Sequence, residues 1–180
     1  MKIKSEKSKA KSSTKEKGIN ADIIDKKMFI MEIDKKNRMQ RIYPMQLITK
    51  WINSEQMKNK NNGGFDVEFS LFDENNIEDN AYISLELNCG IVYKLEIENN
   101  KLYGWLKLKR NDLTKDIYNG KISIDDLCLI PKGNGSFREY TLDHNDYDLL
   151  GFNLVRKEES SFIFENDKSK TEKEMATSLV

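Results

Sequence analysis

Any chemistry this chain performs must come from very few residues. Its 180 residues hold one histidine, His144, and two cysteines, Cys89 and Cys128. Nucleophilic hydrolysis needs a hydroxyl or thiol beside a base that removes its proton. The sequence offers Cys128, Ser123 or Ser136 as nucleophile, with His144 as the base. No local motif singles out any of these pairings. Cys128 sits in an apolar stretch suited to a small core hydrophobe, and His144 sits in the polar turn Asp143-His144-Asn145-Asp146. Two cysteines build neither a disulfide scaffold nor a four-cysteine zinc site, and one histidine excludes multi-histidine metal centres. Asp125 and Asp126 are adjacent, so in a strand they point to opposite faces. Glu74, Glu78 and Asp79 read as a solvated acidic loop. Gly133-Asn134-Gly135 lacks both the G-K-S/T of a phosphate loop and the third glycine of a dinucleotide fingerprint, and reads as a turn. No metal or cofactor is expected.

The elements that would hold these residues are mainly strands. Residues 28–33 are dense in large apolar side chains and predict a first strand. Pro44 suits a helix start, and Leu47, Ile48, Trp51 and Ile52 recur at helical spacing, predicting one helix over 45–58 that the run 59–64 terminates. Alternation in 65–72 predicts a half-buried strand. Three more strands are expected at 82–87, 91–97 and 102–108, joined by hairpin turns at 88–90 and 98–101. A short helix at 113–118 is capped by Asn111 or Asp112 and closed by Gly120. Apolar residues at 122–130 follow, then a closing strand pair at 137–142 and 147–155 and a short edge strand at 161–164. The expected fold is α+β, mainly antiparallel β and barrel-like, with one longer and one short helix. Trp51 and Trp105 both read as core.

Lysines plus arginines and aspartates plus glutamates number 30 each, so the formal charge is zero, but its distribution is uneven. Residues 1–17 carry seven lysines against Glu6 and Glu16, a local +5, which leaves −5 for the remainder. Such a Lys/Ser-rich stretch cannot pack a core. Three segments are expected: a polar arm over 1–27, a β-rich domain over 28–165 and a polar tail over 166–180. Lys2, Lys4, Lys7, Lys9 and Lys11 are candidate contacts to an acidic protein surface or to nucleic acid. No aromatic residue interleaves with them, which argues against base stacking. No apolar run nears the roughly 18–20 residues of a membrane span, and the first residues lack the apolar centre of a secretory signal. An intracellular protein with no membrane partner is expected.

Asn37-Arg38-Met39-Gln40-Arg41-Ile42-Tyr43-Pro44, followed by the amphipathic helix, resembles a segment of the tailed-phage prohead proteases, in which N-R-x-x-R and an aliphatic residue precede Y-P. These are capsid-maturation serine proteases, distantly akin in fold to the herpesvirus assemblins. Further likenesses follow in the same order. The strand containing Tyr103-Gly104 resembles the family's “YG” strand, Gly133-Asn134-Gly135-Ser136 the end of its S-S-R-G-x-G stretch, and Asp146-Tyr147 through Gly151-Phe152 its “dY-x-L-x-G-F” strand. Together they span about residues 30–156 of the core. The resemblance implies an assemblin-type barrel. It also places Arg38, Arg41 and Tyr43 at the entry to the first helix, where the two arginines are further candidate partner contacts.

The departures bear directly on function. The family's general-base histidine lies in G-E-L-x-H-P, which falls here on Val67-Glu68-Phe69-Ser70-Leu71-Phe72; Glu68 matches and Leu71 stands at the histidine. The family's paired serines fall on Ile130-Pro131, followed by Lys132-Gly133. Leucine cannot act as a base, and neither isoleucine nor proline attacks a carbonyl. The expectation is a non-catalytic, capsid-associated virion protein on a prohead-protease-like fold. It would be made in the host cytoplasm and partnered by the major capsid protein or other head proteins. The alternative is a divergent active protease of scaffold and capsid proteins, using His144 with Ser123 or Ser136.

Overall fold

Alternating buried and exposed side chains shape the strands that dominate the regular structure of a computed structural model, which describes residues 23–59, 63–70 and 83–159. The arm lysines Lys2, Lys4, Lys7, Lys9 and Lys11, the acidic loop, Leu71, the expected strand at 161–164 and the tail lie outside the described residues. Strand β1 (Asp25–Glu32) begins within the segment read as arm. Helices α1 (Met45–Ile52) and α2 (Glu55–Lys58) follow, then β2 (Phe65–Phe69), β3 (Asn88–Glu98) and β4 (Lys101–Leu108). After helix α3 (Lys115–Tyr118) come β5 (Leu127–Asn134), β6 (Phe137–Arg138), β7 (Thr141–Leu142) and β8 (Asp148–Arg156).

Six strands form one sheet in the order β1-β4-β3-β2-β8-β5, antiparallel except where β2 runs parallel to β8. The sheet curls until its two edges approach, and Lys26 of β1 forms an ion pair with Asp125 just before β5. Inside the curl, a Cβ on Gly104 of β4 would lie 3.0 Å from Ile30 of β1 and 3.4 Å from Leu129 of β5. Apolar side chains from both edges therefore meet over one glycine. Ile30, Val67, Leu102, Leu106, Phe152 and Leu154 are fully buried there. The expected barrel-like, mainly antiparallel α+β fold is the observed one.

Helix α1 is short enough to be marginal by itself. Burial of Leu47, Ile48 and Trp51 holds it in place, each such side chain contributing roughly 1.5–3 kcal/mol. Pro44 offers no capping side chain, and Asp34 supplies one from the preceding turn, its Oδ1 accepting the Met45 N–H at 3.0 Å. The single helix expected over 45–58 is two. Asn53 closes the first by donating its side-chain amide to the Thr49 carbonyl at 3.0 Å. Ser54 then caps the second, its Oγ accepting the Met57 N–H at 3.3 Å. Asn and Ser side chains compete with helical hydrogen bonds in this way.

Three other expectations fail for identifiable reasons. Residues 83–87 form no strand, and Asn88-Cys89-Gly90 opens β3 instead of turning. Gly90 is needed in the sheet, because a Cβ there would sit 2.6 Å from the Lys107 carbonyl. The glycine permits close approach of strands, which a sequence cannot distinguish from a turn. Gly133 likewise continues β5, and the Tyr147 ring lies against it, 2.7 Å from where a Cβ would be. The 137–142 strand folds back on itself as the β6–β7 hairpin, with Glu139 at φ 55°. Strand β8 pairs with β5 and β2 rather than with that hairpin. The 98–101 hairpin is as expected: Asn99 and Asn100 take φ 50° and 63°, the two positive values a type I′ turn requires.

Candidate functional site

Strands β2, β8 and β5 lie side by side, and their alternation divides each into two faces. Val67, Phe69, Leu129, Phe152 and Leu154 fill the interior. The opposite face carries Glu68, Asn153, Ile130 and Lys132. Register sets Glu68 beside Asn153, and Asn153 beside Ile130, in one row across the three strands. The resemblance puts the protease nucleophile in this row, and Ile130-Pro131 occupy its place.

Polar groups here are buried. Glu68 is 3% exposed and Asn153 4%. Lys132 Nζ lies 2.6 Å from Glu68 Oε2, while Glu68 Oε1 accepts the Ser84 N–H. The Oδ1 of Asn153 has no hydrogen-bond partner among the described residues. A buried ion pair holds together only with good geometry and further hydrogen bonds, and Ser84 supplies one of them. Pro131 fits β5 because that strand is at the sheet edge, where a missing N–H breaks no ladder bond.

The serine and histidine candidates lie elsewhere. Ser123 caps the turn before β5, its Oγ accepting the Asp125 N–H at 3.2 Å. Ser136 follows the far end of that eight-residue strand, roughly 25 Å away at strand rise. Ser136 and His144 share one surface loop cluster and both are exposed. The Asp143 N–H donates to the Ser136 carbonyl at 3.0 Å, and the Ser136 N–H to Asp146 Oδ2 at 2.9 Å. No hydrogen bond joins His144 to either serine among the described residues. The Asn145 backbone N–H holds the Asp143 carboxyl below its usual range, opposed by burial and assisted by Arg138 and His144.

Both cysteines are buried, whereas His144 is exposed. Burial pushes the Cys89 thiol up to about 12, against the lowering influence of its own backbone and Lys109. A thiol so protonated is a poor nucleophile. Ellman's reagent at pH 8 is therefore expected to find neither cysteine in the folded protein and both after denaturation; rapid native labelling would refute this. Asp125 lies in a turn, paired with Lys26, which holds its carboxyl low. No group of three or more His, Cys, Asp or Glu that could hold a metal ion occurs among the described residues. No helix among them is long and apolar enough to cross a membrane.

The entry to α1 is built around a residue the sequence reading passed over. Asn37, 6% exposed, accepts the Arg41 N–H at 2.9 Å on Oδ1 and donates its own N–H to the Arg41 carbonyl at 2.9 Å. Arg41 lies 5.0 Å from the Phe137 ring centroid and against the Tyr43 hydroxyl. Burial pushes Tyr43 up to about 12, with Arg41 opposing. Arg38 is exposed. Of the two tryptophans, Trp51 is core, 2% exposed. Trp105 is not: it is half-buried on the outer sheet face, its Nε1 donating to Glu96 at 3.3 Å and Lys94 lying 5.5 Å from its ring.

Lys132 and Asn153 were also missed as site residues. The available signal was a lone Asn in the apolar run Leu149-Leu150-Gly151-Phe152-Asn153-Leu154-Val155, since a polar residue inside a fully buried strand needs a partner. No protein-family model matches the chain. No curated protein matches its sequence either. Among solved structures, the chain is similar in fold to the capsid assembly protease gp21 of bacteriophage T4, at 19% identity and a TM-score of 0.56, over 74% of this chain and 82% of that one. The architecture is thus one that a phage capsid protease also adopts.

Proposed function

We propose that this chain is a phage head protein that uses a prohead-protease-like fold for assembly rather than for cleavage. The observation carrying this reading is the row Glu68–Asn153–Ile130 with Pro131 and Lys132. The place where the resemblance expects a nucleophile holds an aliphatic side chain, an imide nitrogen and a buried ion pair. Losing either member of a nucleophile–base pair removes several orders of magnitude in rate. Its partners are the major capsid protein or other head proteins, and it resides in the virion after synthesis in the host cytoplasm. Lys2, Lys4, Lys7, Lys9 and Lys11, with Arg38, supply cationic contacts to acidic surfaces of those partners.

One arrangement favours the competing reading, a divergent active serine protease: Ser136 and His144 share one loop cluster. The two readings separate in purified particles. Mass spectrometry is expected to find the intact chain at stoichiometric levels in mature heads. Co-expression with scaffold and capsid proteins is expected to yield no cleavage. Absence of the chain from heads, or cleavage that disappears in Ser136→Ala, Ser123→Ala or His144→Ala, would overturn the proposal.

A further inference from the structure

Lys132, Glu68 and Asn153 together make an arrangement that chemistry can use without any external substrate. Opposite Lys132 on β8 stands Gly151. Gly151 adds no side chain of its own, and Ile83 lies over it, 2.7 Å from where a Cβ would be; Lys132 crosses β8 to reach Glu68 on β2, 2.6 Å from Nζ to Oε2. The only other residue of β8 adjoining that path on the same face is Asn153, beside Glu68 in register. Neighbouring strands are about 4.8 Å apart, so amine, carboxylate and carboxamide share one small volume. All three are largely removed from water: the side chains of Lys132 and Glu68 are 14% and 4% exposed, and Asn153 is 4% exposed. The Asn153 Oδ1 has no donor among the described residues.

We infer that this trio is a site of self-modification, in which Lys132 and Asn153 join through an intramolecular isopeptide bond with Glu68 as the proton carrier. Glu68 takes a proton from the Lys132 ammonium along their hydrogen bond. The freed amine attacks Asn153 Cγ, while the protonated Glu68 donates to Oδ1, which has no donor among the described residues. The Cγ–Nζ bond forms and the Cγ–Nδ2 bond breaks. Ammonia leaves as the neutral molecule, and Glu68 ends protonated with the proton the ammonium supplied, so no unpaired carboxylate is left in the buried site. No oxidant or cofactor takes part. A buried charge pair beside an unpartnered amide is costly. The product is a neutral amide that removes the buried ammonium and links β5 to β8 covalently.

The test is the intact mass of the purified full chain under denaturing conditions, with peptide mapping. The expected result is a loss of about 17 Da, the mass of ammonia, and a proteolytic product in which the peptides containing Lys132 and Asn153 are joined. Lys132→Arg keeps a cation for Glu68 but cannot form the bond, and it is expected at its full sequence mass, as is Glu68→Gln. A wild-type chain at full mass overturns the inference. So does an ammonia loss that persists in Lys132→Arg, or one without the joined peptide, since an asparagine succinimide would give the same mass. The measurement uses the chain alone, so its failure leaves the head-protein reading untouched.

Discussion

Replacing Trp51 with alanine is expected to destabilise the fold by about 3–5 kcal/mol, a fall in melting temperature of roughly 6–20 °C for a chain of this size. Trp51 is 2% exposed and holds α1 to the sheet. Its ring centroid lies 6.0 Å from that of Tyr43 and 5.9 Å from that of Tyr147. Tyr147 in turn lies against Gly133 and Gly135, so a hole at Trp51 loosens the far end of β5 as well. The effect is attributable to volume rather than polarity, because the indole Nε1 has no hydrogen-bond partner among the described residues. Trp51→Phe, which retains a ring and deletes that unpaired donor, is therefore expected to cost less than half as much. Thermal unfolding followed by circular dichroism separates the two variants. Equal losses would show that the indole N–H matters and that its burial has been misread.

The second large effect is at the ion pair. Lys132→Met is expected to destabilise by about 3–5 kcal/mol, because it strands the buried Glu68 carboxylate without its cation. Glu68 is 3% exposed, and the single Ser84 N–H that remains does not replace a cation. The double change Glu68→Leu with Lys132→Met is expected to recover most of the loss, since a buried ion pair exchanged for apolar groups of similar volume is often neutral. Denaturant unfolding of the two single variants and the double variant gives the coupling between the residues. Additive losses would mean that the pair does not interact. In a chain carrying the Lys132–Asn153 link the ammonium is already gone, and Lys132→Arg, which keeps a cation beside Glu68, separates loss of the link from loss of the pair.

Sequence alone carried the strand-rich fold because alternation is a local signal. Leu102, Gly104, Leu106 and Leu108 on one face of β4, against Tyr103, Trp105 and Lys107, can be read without any partner strand. The hairpin at Asn99-Asn100 is legible for the same reason, since two positive φ angles demand such residues. Glycines misled wherever their purpose was contact: Gly90 and Gly133 lie in strands because a neighbouring backbone or ring takes the space of a Cβ. Trp105 was misread because an aromatic residue suits either face of a sheet, and only the neighbours Lys94 and Glu96 make the outer one tolerable. The candidate site was half legible. Glu68 stood out as a match to a pattern and Ile130-Pro131 as departures from it, whereas Lys132 and Asn153 acquire meaning only once β8 lies between β5 and β2.

That placement of β8 has a consequence for the order in which the molecule forms. Strands β3 and β4 join through one hairpin. Val67 of β2, by contrast, meets Phe152 of β8 across most of the domain. Closing so long a loop carries an entropic cost before any contact rewards it. On a ribosome that synthesises the chain from its N-terminus, β1 to β4 can pair while β8 is still unmade. The Glu68 carboxylate must then wait, solvated, until the last strand arrives and brings Asn153 beside it. The site is thus a late product of folding, and truncation anywhere before β8 would leave a half-sheet with no site at all.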